Sequence, residues 1–191
     1  SITYDFDVMA DGNSYTSPYS DVIVYTFDGA PSLNWSGNGA IVSDTVSTAS
    51  APFGVTERDK TNYMTVPVTG GTGSITATLG AHYNYFGLWW GSVDSYNTLS
   101  FYNDAALVAS FTGTSITSPN AANGNQTAPS TNLYVNFLDL PAFNKFVMTS
   151  TQYAFEADNI AVGNVPIPAA AWLLGSGLIG LVAVRRRFNK K

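Results

Sequence analysis

The sequence predicts an all-β protein: an antiparallel β-sandwich, jelly-roll-like in its connections, followed by one transmembrane-type helix at the C-terminal end. Three features indicate the sandwich. Aromatic residues form 14% of the 191-residue chain. Charged residues form only 11%, whereas an ordinary soluble domain has roughly 25%. Seventeen glycines and nine prolines supply the turns that many short strands require.

Short aromatic or β-branched runs between turn residues predict about ten strands ahead of residue 165. The first, residues 2–8, alternates apolar with polar or acidic side chains, which is the period of a half-buried strand. Pro67 makes the run 63–68 an edge strand, because proline cannot donate to a sheet ladder. The other predicted strands are residues 22–27, 74–79, 85–90, 98–102, 106–112, 133–138, 145–151 and 154–162. The stretches 36–54 and 115–130 lack periodicity and predict long surface loops, where binding residues often lie.

The charges are divided sharply along the chain. All thirteen acidic residues lie between Asp5 and Asp158, whereas five of the eight basic residues lie in the last seven positions. The body is therefore strongly acidic and would repel nucleic acid, so we exclude a nucleic-acid partner. The chain begins at Ser1 rather than Met. We interpret this as a mature N-terminus left by removal of a signal peptide, with an artificial start as the alternative.

The C-terminal segment is an apolar run between a proline-rich start and a basic cluster. Residues 169–184 carry no charge, and a helix over them is about 24 Å long, a short membrane span. Arg185, Arg186 and Arg187 follow it, and the positive-inside rule keeps them on the cytoplasmic side. The alternatives are a buried core helix and a helix that packs within an assembly. We therefore expect an ectodomain over 1–164 and a membrane-directed segment over 165–191.

This segment resembles the PEP-CTERM sorting signal in its VPLPA variant. Val165, Pro166, Ile167 and Pro168 match the Val-Pro-Leu-Pro start except at Ile167, and the similarity continues through 169–178. The resemblance implies export and recognition by an exosortase, a membrane transpeptidase-like protease that cuts near the proline-rich start. It also implies a place in the cell envelope, on the outer surface or in the extracellular matrix of a Gram-negative-type bacterium, in association with exopolysaccharide.

Part of the body resembles one exosortase-dependent family of surface proteins. The segments that carry the similarity are residues 85–103, 122–127, 134–137 and 155–163. That family is defined by surface display, so the resemblance implies a location and a fold, and it implies no catalytic activity.

The side-chain chemistry does not indicate an enzyme, and we predict that the protein is not one. His82 is the sole histidine and cysteine is absent, so a zinc site lacks ligands and a Ser-His-Asp triad would have to use His82. Glu57 and Glu156 are the only glutamates beside eleven aspartates. A glycosidase needs two carboxyls about 5–10 Å apart, and the sequence does not bring any pair together.

Paired carboxylates on the first and last strands predict a Ca²⁺ site. Asp5 and Asp7, like Glu156 and Asp158, stand two residues apart, and alternate residues of a strand share a face. Calcium binds about 6–8 oxygen ligands. Because the first and last strands of a sandwich are commonly neighbours, we expect these four side chains to hold the ion. The alternative is that they line the solvated faces of edge strands.

Aromatic side chains near polar ones predict a carbohydrate-binding surface. Trp89, Trp90 and Tyr96 are the candidates. Adjacent strand residues face opposite ways, so we expect one of Trp89 and Trp90 to be exposed and the other to lie in the core. Core packing is the alternative for each of the three.

Taken together, these features predict an exported surface or matrix protein with a structural or adhesive function and a capacity to self-associate. Two alternatives stay open. One is a carbohydrate-binding module tethered at the membrane. The other is an accessory subunit of a membrane complex, held there by the C-terminal helix.

Overall fold

The computed structural model describes residues 2–7, 17–117 and 121–165, and this part of the chain is built almost entirely from β-strands. It contains twelve strands and a single helical turn, α1 (Gly113–Ile116). The strands are β1 (Thr3–Asp7), β2 (Val22–Tyr25), β3 (Asn34–Gly37), β4 (Ala40–Ser43), β5 (Asn62–Val66), β6 (Gly73–Tyr83), β7 (Tyr85–Gly91), β8 (Asn97–Asn103), β9 (Ala106–Thr112), β10 (Leu133–Leu138), β11 (Phe143–Ser150) and β12 (Phe155–Gly163).

The strands form two antiparallel sheets. The larger has seven strands in the order β1-β10-β7-β12-β5-β4, with β2 beside β12. The smaller has five, in the order β3-β6-β11-β8-β9. Beyond β5 the chain crosses from one sheet to the other at almost every connection, so the two sheets depend on each other. This arrangement confirms the predicted all-β, two-sheet architecture.

An aromatic core fills the space between the sheets. Phe86 of the larger sheet meets Phe101 and Phe146 of the smaller one edge-to-face, with ring centroids 5.0 and 4.8 Å apart. Trp90 lies flat on Phe155, with centroids 4.3 Å apart. Edge-to-face and offset-stacked rings are favourable geometries for buried aromatic side chains. The high aromatic content of the sequence therefore serves the core.

The outer face of the larger sheet is buried as well. Every residue of β7 and β12 is buried, although their side chains point alternately to both faces. Residues 44–61, which we call the covering segment, lie over this outer face. Ala49 and Ala51 of the covering segment pack against Tyr63, and a Cβ at Gly91 would lie 3.0 Å from Pro52. The larger sheet is thus the middle layer of the domain.

Two predictions about the strands need correction. The stretch 36–54, predicted as a surface loop, contributes to β3 and contains β4 before it becomes the covering segment. The run 63–68 is not an edge strand, because β5 lies between β12 and β4. Pro67 fits this position because β5 ends at Val66, so the proline has no ladder bond to donate.

The predicted C-terminal helix over 169–184 lies outside the described residues, as do Pro166, Ile167, Pro168 and the three arginines. Within the residues that are described, no helix has the length and apolar character needed to cross a membrane.

Candidate functional site

A polar cleft of about 240 Å³ opens where the covering segment meets the loops around β7, β8 and β12. Its walls come from residues 45–50, 92–96, 123–126 and 153–156. The two stretches that lack periodicity in the sequence therefore both line it. Its polar lining includes the side chains of Ser50, Asp94, Tyr96, Asn123, Gln126 and Glu156.

Glu156 forms the floor of the cleft. Its Oε1 accepts a hydrogen bond from the Ser50 backbone N–H at 3.0 Å, and its Oε2 accepts one from the Ser92 hydroxyl at 2.8 Å. Burial raises the pKa of Glu156 to about 8, these two hydrogen bonds oppose the rise, and the Asp94 carboxylate adds to it. Burial therefore favours the protonated form of the carboxyl at neutral pH, and its two oxygens are engaged by Ser50 and Ser92.

Asp94 is the second carboxyl of the cleft, and the backbone holds it in place. Its N–H donates to Asn97 Oδ1 at 3.0 Å, and the Asn97 N–H donates back to the Asp94 carbonyl at 3.2 Å. Gly124 passes close by with φ +65°, and a Cβ there would lie 2.4 Å from Asp94 Oδ1. Burial raises the pKa of Asp94, and the Tyr96 hydroxyl opposes the rise.

Tyrosines form the rim. The Tyr96 hydroxyl donates to the Tyr153 carbonyl at 2.8 Å, and the Tyr153 side chain is exposed. Burial is the largest cause of a raised Tyr96 pKa, so the phenol is neutral at physiological pH. Tyr96, predicted to bind sugar, therefore lies at a polar cleft beside carboxyl and amide groups.

Trp89 and Trp90 do not contribute to an exposed surface. Trp90 is 0% exposed in the core, and Trp89 is 1% exposed on the opposite face, against Tyr134. The two indoles point to opposite faces of the sheet, as predicted, but the expectation that one of them faces solvent is wrong. The reason is that the outer face of the larger sheet is itself buried: Trp89 packs there against Tyr134, and Tyr19 covers Tyr85 on the same face of β7.

Asn132 connects the three parts of the cleft wall. Its Oδ1 accepts from the N–H groups of Phe53 and Ser92, both at 3.0 Å, and its Nδ2 donates to the carbonyls of Asn125 and Ala128 at 3.2 and 3.0 Å. One buried amide thus joins the covering segment, the end of β7 and the loop before β10. Nothing in its local sequence distinguishes it from other asparagines.

Arg58 supports the covering segment from behind the cleft. Its guanidinium donates to the Ser50 hydroxyl, to the Ala51 carbonyl at 3.0 Å and to the Gln126 carbonyl at 3.4 Å. It also lies over the Phe53 ring, 5.8 Å from the centroid. These contacts join the covering segment to the loop that carries Asn123.

The four predicted calcium ligands are not brought together on neighbouring strands. The strands β10 and β7 separate β1 from β12, so β1 and β12 lie about 14 Å apart. The side chains of Asp5 and Asp7 are outside the described residues. Glu156 and Asp158 share one face, as expected, but both are buried rather than solvated. Across the described ranges, no group of three or more His, Asp or Glu side chains is placed to hold a metal ion.

Asp158 lies instead beside a carboxyl that the sequence did not single out. It faces Asp59 of the covering segment, and these side chains are 0% and 2% exposed. Asp59 Oδ1 accepts from the N–H and hydroxyl of Thr61 at 2.9 and 2.6 Å. In their ionised forms Asp158 and Asp59 leave three oxygens without a donor, whereas a protonated Asp158 hydrogen-bonds to Asp59. Burial raises the pKa of Asp158 to about 9, and the Asp59 carboxylate adds to the rise.

His82 and Val165 lie away from the cleft. His82 is exposed on β6, where its Nε2 is 3.1 Å from Asn103 Oδ1. Val165, the first residue of the predicted sorting segment, forms two hydrogen bonds with Asn84 in the turn between β6 and β7.

No protein-family model matches the chain, and a search of curated proteins finds no match.

Proposed function

We propose that the chain is an exported adhesive protein of the bacterial surface or matrix, and that the cleft is its binding site for a carbohydrate. The observation that carries the proposal is the convergence of two carboxyls, two amide side chains and a tyrosine in one cleft. Sugar hydroxyls both donate and accept hydrogen bonds, and this set of groups offers both.

The chemistry of the cleft favours an uncharged sugar. The body of the chain is strongly acidic, and Asp94 and Glu156 line the cleft itself. A uronic acid would bring a further negative charge toward Asp94 and the acidic body, whereas the protonated Glu156 carboxyl contributes no charge. The volume of about 240 Å³ is below the roughly 300–1,000 Å³ of drug-sized pockets. It therefore suits one or two sugar units at the end or along the edge of a neutral polysaccharide.

The proposal includes surface display through the C-terminal segment. The proline-rich start at Val165 and the basic cluster after the apolar run support recognition by an exosortase-type enzyme and a membrane-held precursor. The repeated crossings between the two sheets support a jelly-roll connectivity for the ectodomain.

The test uses the full-length chain on an array of immobilised neutral and uronate-containing oligosaccharides. We expect binding to a neutral glycan that falls at least about tenfold in Tyr96→Ala and in Gln126→Ala. Tyr102→Ala, on the smaller sheet, is the matched control and retains binding. Absence of glycan binding, or equal loss in the Tyr102 control, contradicts the proposed ligand.

A second candidate function is structural self-assembly through β9. This strand ends the smaller sheet and pairs only with β8 among the described strands. Its sequence ALVASFT contains neither a charged residue nor a proline. Charged residues and prolines are the features that usually protect an edge strand from pairing with another chain. Leu107 is 58% exposed on it. A second copy of the chain could therefore add its own β9 across this edge.

Sedimentation velocity at increasing concentration tests this candidate. We expect wild-type chain to dimerise and Leu107→Lys to remain monomeric, because a lysine on an edge strand disfavours strand addition. Val55→Lys, at a residue that is 53% exposed in the covering segment, is the control and still dimerises. A monomeric wild-type chain at every concentration contradicts the assembly.

A further inference from the structure

A second, shallower groove of about 450 Å³ opens beside the cleft, where the turn after β5 meets the turn after β11. Its walls come from residues 70–72 and 151–153, and we call it the outer groove. Tyr153 lines both the outer groove and the cleft. The two depressions therefore share a wall, and a ligand that passes over Tyr153 contacts both of them.

The shared wall is an aromatic ring that faces solvent. Tyr153 is 39% exposed, and it is the only exposed side chain among the aromatic residues whose burial the structure describes. Gly71 leaves this ring uncovered, because a Cβ there would lie 3.9 Å from Tyr153 Cε2 and a longer side chain would crowd it. Tyrosine offers a rigid surface with an apolar face and a polar tip at a low cost in conformational entropy. Such a ring is suited to contact the apolar C–H face of a sugar.

Hydrogen bonds hold the turn that carries Tyr153 in place. The Tyr153 carbonyl accepts from the Tyr96 hydroxyl at 2.8 Å. The Gln152 carbonyl accepts from the Ser150 hydroxyl at 2.7 Å. Both bonds use the backbone of the turn, and the side chains of Gln152 and Tyr153 are exposed at the surface of the outer groove.

The facing turn is tied to the first one. Thr72 Oγ1 donates to the Thr151 carbonyl at 3.1 Å, which joins the two walls of the outer groove. Asn38 holds the facing turn: its Oδ1 accepts from the N–H groups of Val68 and Thr69 at 3.1 and 3.2 Å. Its Nδ2 donates to the Thr69 carbonyl at 2.8 Å. Both walls are therefore fixed before a ligand arrives, which lowers the entropic cost of binding.

The lining of the outer groove resembles that of the cleft in its hydrogen-bonding groups but lacks the carboxyls. Residues 70–72 and 151–153 supply hydroxyls, one side-chain amide and the Tyr153 ring, and none of these six residues is charged. Hydroxyl and amide groups both donate and accept hydrogen bonds, as sugar hydroxyls require. A lining of this kind offers no counter-charge to an ionic ligand, so it suits the same neutral sugars as the cleft.

We propose that the cleft and the outer groove form one extended site for a linear neutral polysaccharide, which crosses the Tyr153 ring as it passes from one to the other. This extended site rests on the proposed carbohydrate function, and it specifies the ligand as an internal stretch of a long chain. The outer groove, at about 450 Å³ against about 240 Å³ for the cleft, adds room for further sugar units. Affinity should therefore increase with the length of the oligosaccharide.

Calorimetric titration of the full-length wild-type chain compares short and long oligosaccharides. The probes are linear oligomers of glucose, of mannose and of galactose, each as the dimer and as the hexamer. In a series that binds, we expect the hexamer to bind at least about tenfold more tightly than the dimer. The reason is that its additional units contact the outer groove without a second loss of translational freedom.

Two glutamines provide a matched pair of variants, because Gln152 lines only the outer groove and Gln126 only the cleft. Gln152→Ala should weaken the hexamer several-fold and leave the dimer unchanged, whereas Gln126→Ala should weaken both. Tyr153→Ala should remove most of the advantage of the hexamer, and Tyr153→Phe, which keeps the ring, should retain it. Gln152 and Tyr153 are exposed, so the melting temperatures of these variants should match that of wild type.

The outcomes separate the extended site from the proposed function. Equal affinities of wild type for dimer and hexamer would overturn the extended site and leave the cleft as the carbohydrate site. A hexamer advantage that survives both Gln152→Ala and Tyr153→Ala would overturn it as well. A chain that binds no oligomer of either length would contradict the carbohydrate function itself, and the extended site with it.

Discussion

Asn84 and Val165 are joined by two hydrogen bonds just after the last strand of the β-domain. The Val165 N–H donates to Asn84 Oδ1 at 2.9 Å, and Asn84 Nδ2 donates to the Val165 carbonyl at 3.2 Å. The Asn84 N–H also donates to the Gly163 carbonyl at 3.1 Å. The Asn84 side-chain amide thus pairs with the Val165 backbone as a neighbouring strand would. It fixes the backbone two residues after β12 ends.

The first prediction concerns this amide. Asn84→Ala removes both side-chain bonds, and at about 1 kcal/mol per hydrogen bond we expect a loss of about 1–2 kcal/mol in local stability. Limited proteolysis followed by mass spectrometry should show cleavage near residue 165 several times faster than in wild type. Asn103→Ala, which removes the acceptor of the His82 contact, is the control. Equal cleavage rates in all three chains would contradict a clamping role for Asn84.

The second prediction separates a steric clash from backbone strain in the cleft. Gly124 and Gly70 both have positive φ, +65° and +77°, but a Cβ at Gly124 would strike Asp94 whereas Gly70 has open space around it. Gly70→Ala should cost about 1–2 kcal/mol of unfolding free energy from strain alone. Gly124→Ala should cost more, because Asp94 must also move.

Chemical denaturation of the two variants measures the difference between them. We expect glycan binding to fall only in Gly124→Ala, since its clash displaces a cleft carboxyl. Equal stability losses would mean that the loop shifts away from Asp94 without cost.

The third prediction concerns the amide that joins the cleft wall. Asn132→Asp keeps the Oδ1 acceptor but replaces the Nδ2 donor by an oxygen that faces the Asn125 and Ala128 carbonyls. Loss of a buried donor costs about 1–3 kcal/mol, and more when a charge is introduced. We expect at least about 3 kcal/mol of destabilisation in urea unfolding. Asn123→Asp, at an exposed position on the same loop, should change the stability far less.

The fourth prediction is a pH dependence at Asp94. Its pKa is raised in the folded protein, chiefly by burial, so folding favours the protonated form. The favourable contribution is full below the ordinary aspartate pKa and is lost as the pH rises through the raised value. The charged or titratable neighbours are Tyr96 and Glu156.

Asp94→Asn should remove this contribution, so the variant loses less stability than wild type when the pH rises from about 4 toward neutral. Urea unfolding at several pH values, with Asp104→Asn as the control, measures the slopes. Parallel slopes for Asp94→Asn and wild type would contradict the assignment.

The local pattern of the sequence was sufficient for most strands. The runs around β7, β8, β9 and β10 were bounded within a residue or two, because apolar alternation and turn residues act over a few positions. The same reasoning missed β3 and β4, whose four-residue lengths leave too few positions for a period to show. It also used Pro67 to predict an edge strand. The proline lies just beyond the end of β5 at Val66, so it does not restrict the position of that strand in the sheet.

The site was less accessible to sequence reasoning. Tyr96 and Glu156 were singled out for sugar and metal respectively, yet both line the same cleft. Asp59 and Asp94 were not singled out, because an isolated aspartate in a loop carries no signal. Their neighbours in space are distant in the chain: Asp158 is 99 residues from Asp59, and Gly124 is 30 residues from Asp94.

The sequence by itself determined the local features of the chain. These are many short strands, an acidic body, and an apolar run after Val165 that ends in basic residues. The tertiary structure decided which strands are neighbours and which face each side chain meets. Trp89 and Asp158 show the reason, since alternation only says that they point away from the core. Asp158 is buried against Asp59 of the covering segment and Trp89 against Tyr134 of β10, and long-range contacts of this kind leave no periodic trace in the chain.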